Sequence, residues 1–141
     1  MRFFDASALV PRYVRQERTA KVRRLLGEGN VAVSRLSEVE VVSAFARLCR
    51  DGAISVEQRD RAAAAFVADL AAWHVVEMIP DVVRSARTLL LRRSLRAGDA
   101  VQLAAALVLQ AALGDPLSAF VVYDLRLAMA AEAELLAVIS D

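Results

Sequence analysis

The chain has 141 residues, a formal net charge of +1, 57% apolar residues and a mean hydropathy of +0.42. That length suits one domain with a real core and is too short for two, and the small net charge does not by itself announce a nucleic-acid binder. The longest uncharged stretch, 100–114, contains Gln102 and Gln110 and falls short of the ~18–20 apolar residues of a membrane span, and the lone Cys49 excludes an internal disulfide and any cysteine-based zinc site.

The first segment, "MRFFDASALV", runs two phenylalanines into Asp5, and apolar chain resumes a turn later. Nothing here has the charged-then-apolar layout of a secretion signal, so a cytoplasmic location is expected. Short runs rich in Val, Phe and Ile predict strands over 2–5, 31–34, 75–79, 120–123 and 136–139. Between them, longer apolar periodicities predict helices over 19–26, 38–50, 56–73, 82–93, 100–113 and 126–135. Alternation of strand and helix predicts a three-layer α/β domain with a mainly parallel sheet, and the near-continuous apolar strands fit burial on both faces. A single domain over 1–141 is expected.

Two segments concentrate arginine. Arg12, Arg15, Arg18, Arg23 and Arg24 lie early with Lys21, the only lysine; Arg84, Arg87, Arg92, Arg93 and Arg96 lie later. Solvated helix faces explain any one of them, whereas together they can form a phosphate-binding rim.

In parallel α/β folds, ligands gather beyond the carboxyl ends of the strands. Four acids belong there. Asp5 ends the first strand, Glu40 lies in the first turn of the helix in "VSRLSEVEVVSAFARL", Asp99 follows Gly98 in "RAGDAVQLAAAL", and Asp124 ends "AFVVYD". Each has an ordinary explanation: Asp5, Asp99 and Asp124 are placed to be N-caps, at ~1 kcal/mol apiece, and Ser37 with Glu40 matches a capping box. Convergence argues for more, because two like charges ~4 Å apart repel by roughly 4 kcal/mol at an effective dielectric near 20. Clustered carboxylates with no lysine nearby call for a cation, and hard divalent ions such as Mg²⁺ and Mn²⁺ prefer oxygen ligands.

The motifs "FDASAL", "SRLSEVEVVSAFAR", "LRAGDAVQLAAAL" and "FVVYDLRLAMAA", in this order, resemble the PIN domain family, and more narrowly the VapC-type toxins of bacterial toxin–antitoxin pairs. The resemblance covers essentially the whole chain. It implies that Asp5, Glu40, Asp99 and Asp124 hold one or two Mg²⁺ or Mn²⁺ ions and that Ser7 supports Asp5. It further implies hydrolysis of RNA phosphodiester bonds, a small antitoxin partner and a homodimer. Three positions depart from the family pattern: Val122 replaces a common Ser or Thr, Gln102 stands where His is frequent, and Glu38 competes with Glu40 for the second acidic position. Glu40 is preferred because it keeps the spacing to "VVSAFAR". The surplus of Val, Phe, Leu and Trp on the helices around 38–50 and 56–73 predicts a groove between them for an amphipathic antitoxin segment.

Other chemistries fit less well. A phosphoacceptor aspartate domain needs a lysine late in the chain, and none follows Lys21. A hydrolytic triad would have to use His74, the only histidine, which falls at a strand start. No glycine-rich phosphate loop is present. The alternative from a different class is a catalytically silent PIN fold that binds RNA or protein, for which four mutually repelling acids have no purpose.

Overall fold

A computed structural model describes all of residues 1–141. Its elements are β1 (Arg2–Phe4), α1 (Ala6–Tyr13), α2 (Thr19–Gly27), β2 (Val31–Ser34), α3 (Leu36–Arg50), α4 (Val56–Leu70), β3 (His74–Val76), α5 (Pro80–Arg92), α6 (Ala97–Leu113), β4 (Ala119–Val121), α7 (Leu125–Ala133) and β5 (Val138–Ile139). The five strands form one parallel sheet in the order β3-β2-β1-β4-β5. β1 is therefore central, and chain order reverses between β1 and β4. That reversal opens a crevice at the carboxyl ends of these two strands.

Successive strand residues feed opposite layers, as a pleat requires. Phe3, Ala32 and Phe120 point into a core shared with α5, α6 and α7, where Phe3 and Phe120 stack with ring centroids 5.6 Å apart. Phe4, Val33 and Val121 point into a second core shared with α1 to α4. The three-layer α/β expectation holds, with seven helices around an all-parallel sheet.

The helix α1 has no counterpart among the expected elements. Pro11 lies inside it and is buried, and its ring removes the N–H that would bond the Ser7 carbonyl. The helix persists because Asp5 caps it and because Ala8 and Leu9, both fully buried, anchor it in the second core. At its far end, Arg12 Nε and the Tyr13 hydroxyl both donate to Asp69 Oδ2, at 2.9 and 2.6 Å, tying α1 to α4. Burial and the adjacent Asp69 carboxylate hold the Tyr13 hydroxyl well above its ordinary pKa, so it stays a donor.

The expected groove between α3 and α4 is largely filled. Phe45 and Phe66 are fully buried in the second core and Trp73 packs against it, so outside them only smaller side chains, Val39, Val42, Val56 and Val67, face solvent. No helix is long and apolar enough to cross a membrane.

Candidate active site

The crevice at the β1/β4 reversal is a cleft of about 560 Å³ whose lining includes Asp5, Ser7, Glu40, Arg96, Asp99 and Asp124. All four acids singled out in the sequence reach it. Glu38 does not: it pairs with Arg35 at 2.7 Å, and the same guanidinium reaches Glu77 at 2.5 Å.

Each acid is delivered by a different device. Asp5 is the N-cap of α1, where its Oδ2 accepts from the Ser7 amide at 3.0 Å and from the Ser7 hydroxyl at 2.5 Å. Ser7 Oγ in turn accepts from the Tyr123 amide at 2.9 Å, so this serine links the end of β1 to the chain after β4. Both hydrogen bonds to Asp5 fall on Oδ2, leaving Oδ1 toward the cleft unbonded within the protein. Asp124 caps α7 through Oδ1, accepting from the Leu127 amide at 3.0 Å. Asp99 is not an N-cap. The helix starts earlier, with Arg96 at the cap position, and Asp99 sits in the first turn. Gly98 lies within that turn rather than breaking it, and a Cβ there would stand 3.5 Å from Glu40 Oε1, an ordinary van der Waals contact, so α6 runs beside this carboxylate without requiring glycine.

The expected capping box at Ser37 and Glu40 is absent, because α3 begins at Leu36. Ser37 is instead a fully buried helical residue whose hydroxyl accepts from Gln102 Nε2 at 3.0 Å. The same amide donates to Glu40 Oε1 at 3.1 Å. Gln102 thus supplies the supporting hydrogen bond that its departure from the family pattern had put in question, and it joins α6 to α3 directly beneath the cleft. Replacing Gln102 by Leu keeps the volume but removes both bonds inside a fully buried site. Denaturant unfolding of that variant is expected to show a loss of ~1–2 kcal/mol, and wild-type stability would show the network to be idle.

Electrostatically the cleft is strained toward neutrality. Burial pushes the Asp5 carboxyl up to about 6; the Ser7 hydrogen bonds oppose this, and repulsion from Glu40 and Asp99 adds to it. Burial also raises Glu40, against the donor Gln102, and raises Asp99, which additionally faces Asp124. The one cation contacting these acids is Arg96, with Nε 3.6 Å from Asp99 Oδ2 and Nη2 3.5 Å from Asp124 Oδ2. Both separations are long, and Arg96 itself is largely exposed.

All-oxygen donors raised by burial and mutual repulsion suit a hard divalent cation. One atom states the need directly: Asp99 Oδ2 is buried with no hydrogen-bond partner. No three acidic, histidine or cysteine side chains yet stand together as a formed set of metal ligands, however. Asp5 is turned to Ser7, Glu40 to Gln102, and Asp99 and Asp124 to Arg96, so the four carboxylates face separate neighbours, and Asp99 gains only a long ion pair from its own.

A parallel α/β domain with an acidic cleft at its switch point is thereby defined. The family model for the PIN domain matches residues 2–137, and the chain belongs to that family. No protein of curated function matches it at a significant level. Among solved structures, it resembles Mycobacterium tuberculosis VapC20, described as a sarcin-ricin loop cleaving toxin, with a TM-score of 0.65 and 19% identity over 92% of this chain and 95% of that one. FitAcB from Neisseria gonorrhoeae aligns with a TM-score of 0.69 and 13% identity over 99% and 97% of the two chains. A toxin–antitoxin complex from Klebsiella pneumoniae aligns with a TM-score of 0.60 and 15% identity over 88% and 87%. At these identities the likeness speaks for the fold.

Proposed function

We propose that residues 1–141 act as one PIN domain, a cytoplasmic Mg²⁺- or Mn²⁺-dependent endoribonuclease that serves as the toxin of a toxin–antitoxin pair. The observation that carries the reading is the buried Asp99 Oδ2, without a hydrogen bond, in a cleft shared with Asp5, Glu40 and Asp124. Family membership and the toxin described for M. tuberculosis VapC20 supply the substrate class.

In this reading Asp5, Asp99 and Asp124 hold the ion, and Ser7 fixes the Asp5 rotamer so that Oδ1 faces it. When bound, Mg²⁺ or Mn²⁺ polarises a phosphoryl oxygen and lowers the pKa of an attacking water. Glu40 is anchored by Gln102 through Oε1, which leaves Oε2 to join the ligands or take a proton from that water. Arg96, released from Asp99 and Asp124, is within reach of the phosphate charge that enters the cleft.

The partners follow the same reading. A small antitoxin would silence the cleft most directly by placing an arginine or lysine among the carboxylates. A homodimer would cover the apolar surface of α7, where Leu125 and Met129 are 74% and 62% exposed.

The test is incubation of purified protein with single-stranded RNA in Mn²⁺, in Mg²⁺ and in excess chelator. Cleavage in metal only, leaving 5′-phosphate ends, is the expected result, alongside growth arrest on expression and a small co-purifying protein from the native cell. RNA left intact under every condition would favour a silent binding module. Cleavage without toxicity or partner would make the protein a nuclease outside toxin–antitoxin control.

A further inference from the structure

Away from the acids, a second pocket of about 400 Å³ is lined by Arg12, Arg15, Arg23 and Arg61, with Gln58 and Tyr13. No acid lines it. Of the four guanidinium groups only Arg12 has a carboxylate partner, Asp69, which lies behind it. Arg23 Nη2 donates to the Arg12 carbonyl at 3.2 Å, while Arg15 and Arg61 form no ion pair and donate to no protein acceptor. These arginines come from the end of α1, the following turn, α2 and α4, so the clustering is tertiary and not one solvated helix face. Like charges gathered from four segments, three of them without a counter-ion, favour an anion, and the planar guanidinium matches a phosphate with paired N–H donors.

The pocket adjoins the acidic cleft through shared lining residues. A shallow depression lined by Arg15, Gln16, Glu17, Thr19, Ala20 and Arg23 shares Arg15 and Arg23 with the arginine pocket. Gln16 in turn lines the cleft that contains Asp5 and Asp99. The track follows α1 from its acidic N-terminal end to its basic C-terminal end. Eight helical residues span roughly 12 Å, the reach of a short single-stranded segment. Glu17 is the single acid on the way.

We infer that this track is a binding site for the phosphodiester backbone of single-stranded RNA, with the Arg12, Arg15, Arg23 and Arg61 pocket gripping a phosphate a few nucleotides from the bond held at the acids. The inference rests on the ribonuclease reading for its polymer but not for its test. Charge that is weak overall is thereby concentrated where a strand leaves the cleft. Reach along the backbone, rather than base reading, would set the minimum length of substrate.

Binding is measured by fluorescence anisotropy in chelator, so that no cleavage occurs, with a labelled nine-nucleotide RNA and a labelled trinucleotide across a salt series. Arg15→Gln with Arg61→Gln should weaken the nine-mer about tenfold or more and reduce the salt slope by ~1.4, from ~0.7 per lost phosphate contact. The trinucleotide, too short to span both ends, should change far less. Arg84 and Arg87, grouped by sequence with a phosphate-binding rim, line neither the cleft nor the track. Arg84→Gln with Arg87→Gln, on α5, therefore removes the same charge elsewhere and should leave nine-mer binding at the wild-type level. All four side chains are exposed, so folding should be preserved, as circular dichroism will verify. An unchanged slope in the Arg15/Arg61 variant, or equal loss in both double variants, would overturn the inference. So would loss of poly-glutamate binding with RNA binding intact, which would assign the pocket to an acidic protein. Track-dependent binding without cleavage in metal would retire the nuclease reading and leave the track; cleavage with track-independent binding would do the reverse.

Discussion

Asp99→Asn is expected to reduce RNA cleavage about 10³-fold or more, equivalent to ~4 kcal/mol of transition-state stabilisation, while the protein stays folded. The side chain keeps its shape, so packing around the first turn of α6 is undisturbed. What changes is the charge on Oδ2, which is buried, has no hydrogen-bond partner, and is balanced only by a long ion pair to Arg96 at 3.6 Å. An Asp in the first turn also interacts with the helix dipole, by ~0.3–1 kcal/mol. If that were its whole role, the variant would melt slightly lower and cut RNA at the wild-type rate. In the functional reading, relief from Asp124 offsets the lost dipole term, so melting stays nearly level while activity collapses. Cleavage rates under single-turnover conditions, with circular dichroism melts of the same samples, separate the two. Wild-type cleavage by a folded Asp99→Asn protein would remove the residue from the site.

The sheet was legible because its strands are short, apolar and buried on both faces, which leaves few other uses for "RFF", "VAVS" and "AFV". Their ends were less so. The expected third strand over 75–79 stops at Val76, since Glu77, Met78 and Ile79 are exposed and Pro80 already opens α5. The helix expected over 56–73 ends at Leu70, so that the chain can turn into His74 at the start of β3. The unforeseen α1 is a case of tertiary contacts overruling local preference: Pro11 argues against a helix, and burial of Ala8 and Leu9 wins. Convergence of the four acids could be read because strand order decides where Asp5 and Asp124 lie, and both do cap helices. The local devices around Glu40 and Asp99 could not. That Ser37 accepts from Gln102 instead of capping α3, and that Arg96 stands between Asp99 and Asp124, depends on how α3 and α6 pack, and no spacing along the chain encodes it. The arginine pocket was visible only in part, as the first of two charge-rich segments; Arg61 belongs to neither, and no arginine of the second segment lines it.

In chelator, the stability of the wild-type protein should fall as pH rises from about 4 to 7 and then level off. Burial, reinforced by Glu40 and Asp99, lifts the Asp5 carboxyl to about 6 from an ordinary 3.8. A carboxyl raised in the folded state binds its proton more tightly there than in the unfolded chain. Its contribution is therefore complete below the unfolded value and is lost as pH climbs through the folded one. A shift of this size corresponds to ~3 kcal/mol at most. Glu40 and Asp99 are raised as well and slope the same way. Asn is as good an N-cap as Asp and can accept the same Ser7 hydrogen bonds, so Asp5→Asn should flatten most of this dependence, keep a residual slope from Glu40 and Asp99, and exceed wild-type stability at pH 8. Divalent metal should invert the wild-type profile, because an ion that binds only the folded, ionised cleft stabilises it by ~2.7 kcal/mol at a hundredfold excess over Kd. The Mn²⁺-induced rise in Tm should then grow with pH in the wild type and shrink sharply in Asp5→Asn. Thermal melts of both proteins from pH 4 to 8, with and without Mn²⁺, measure all of this in one series. If the two metal-free profiles run parallel, Asp5 serves as a cap and carries no buried charge; if Mn²⁺ stabilises both proteins equally, the ion is held elsewhere.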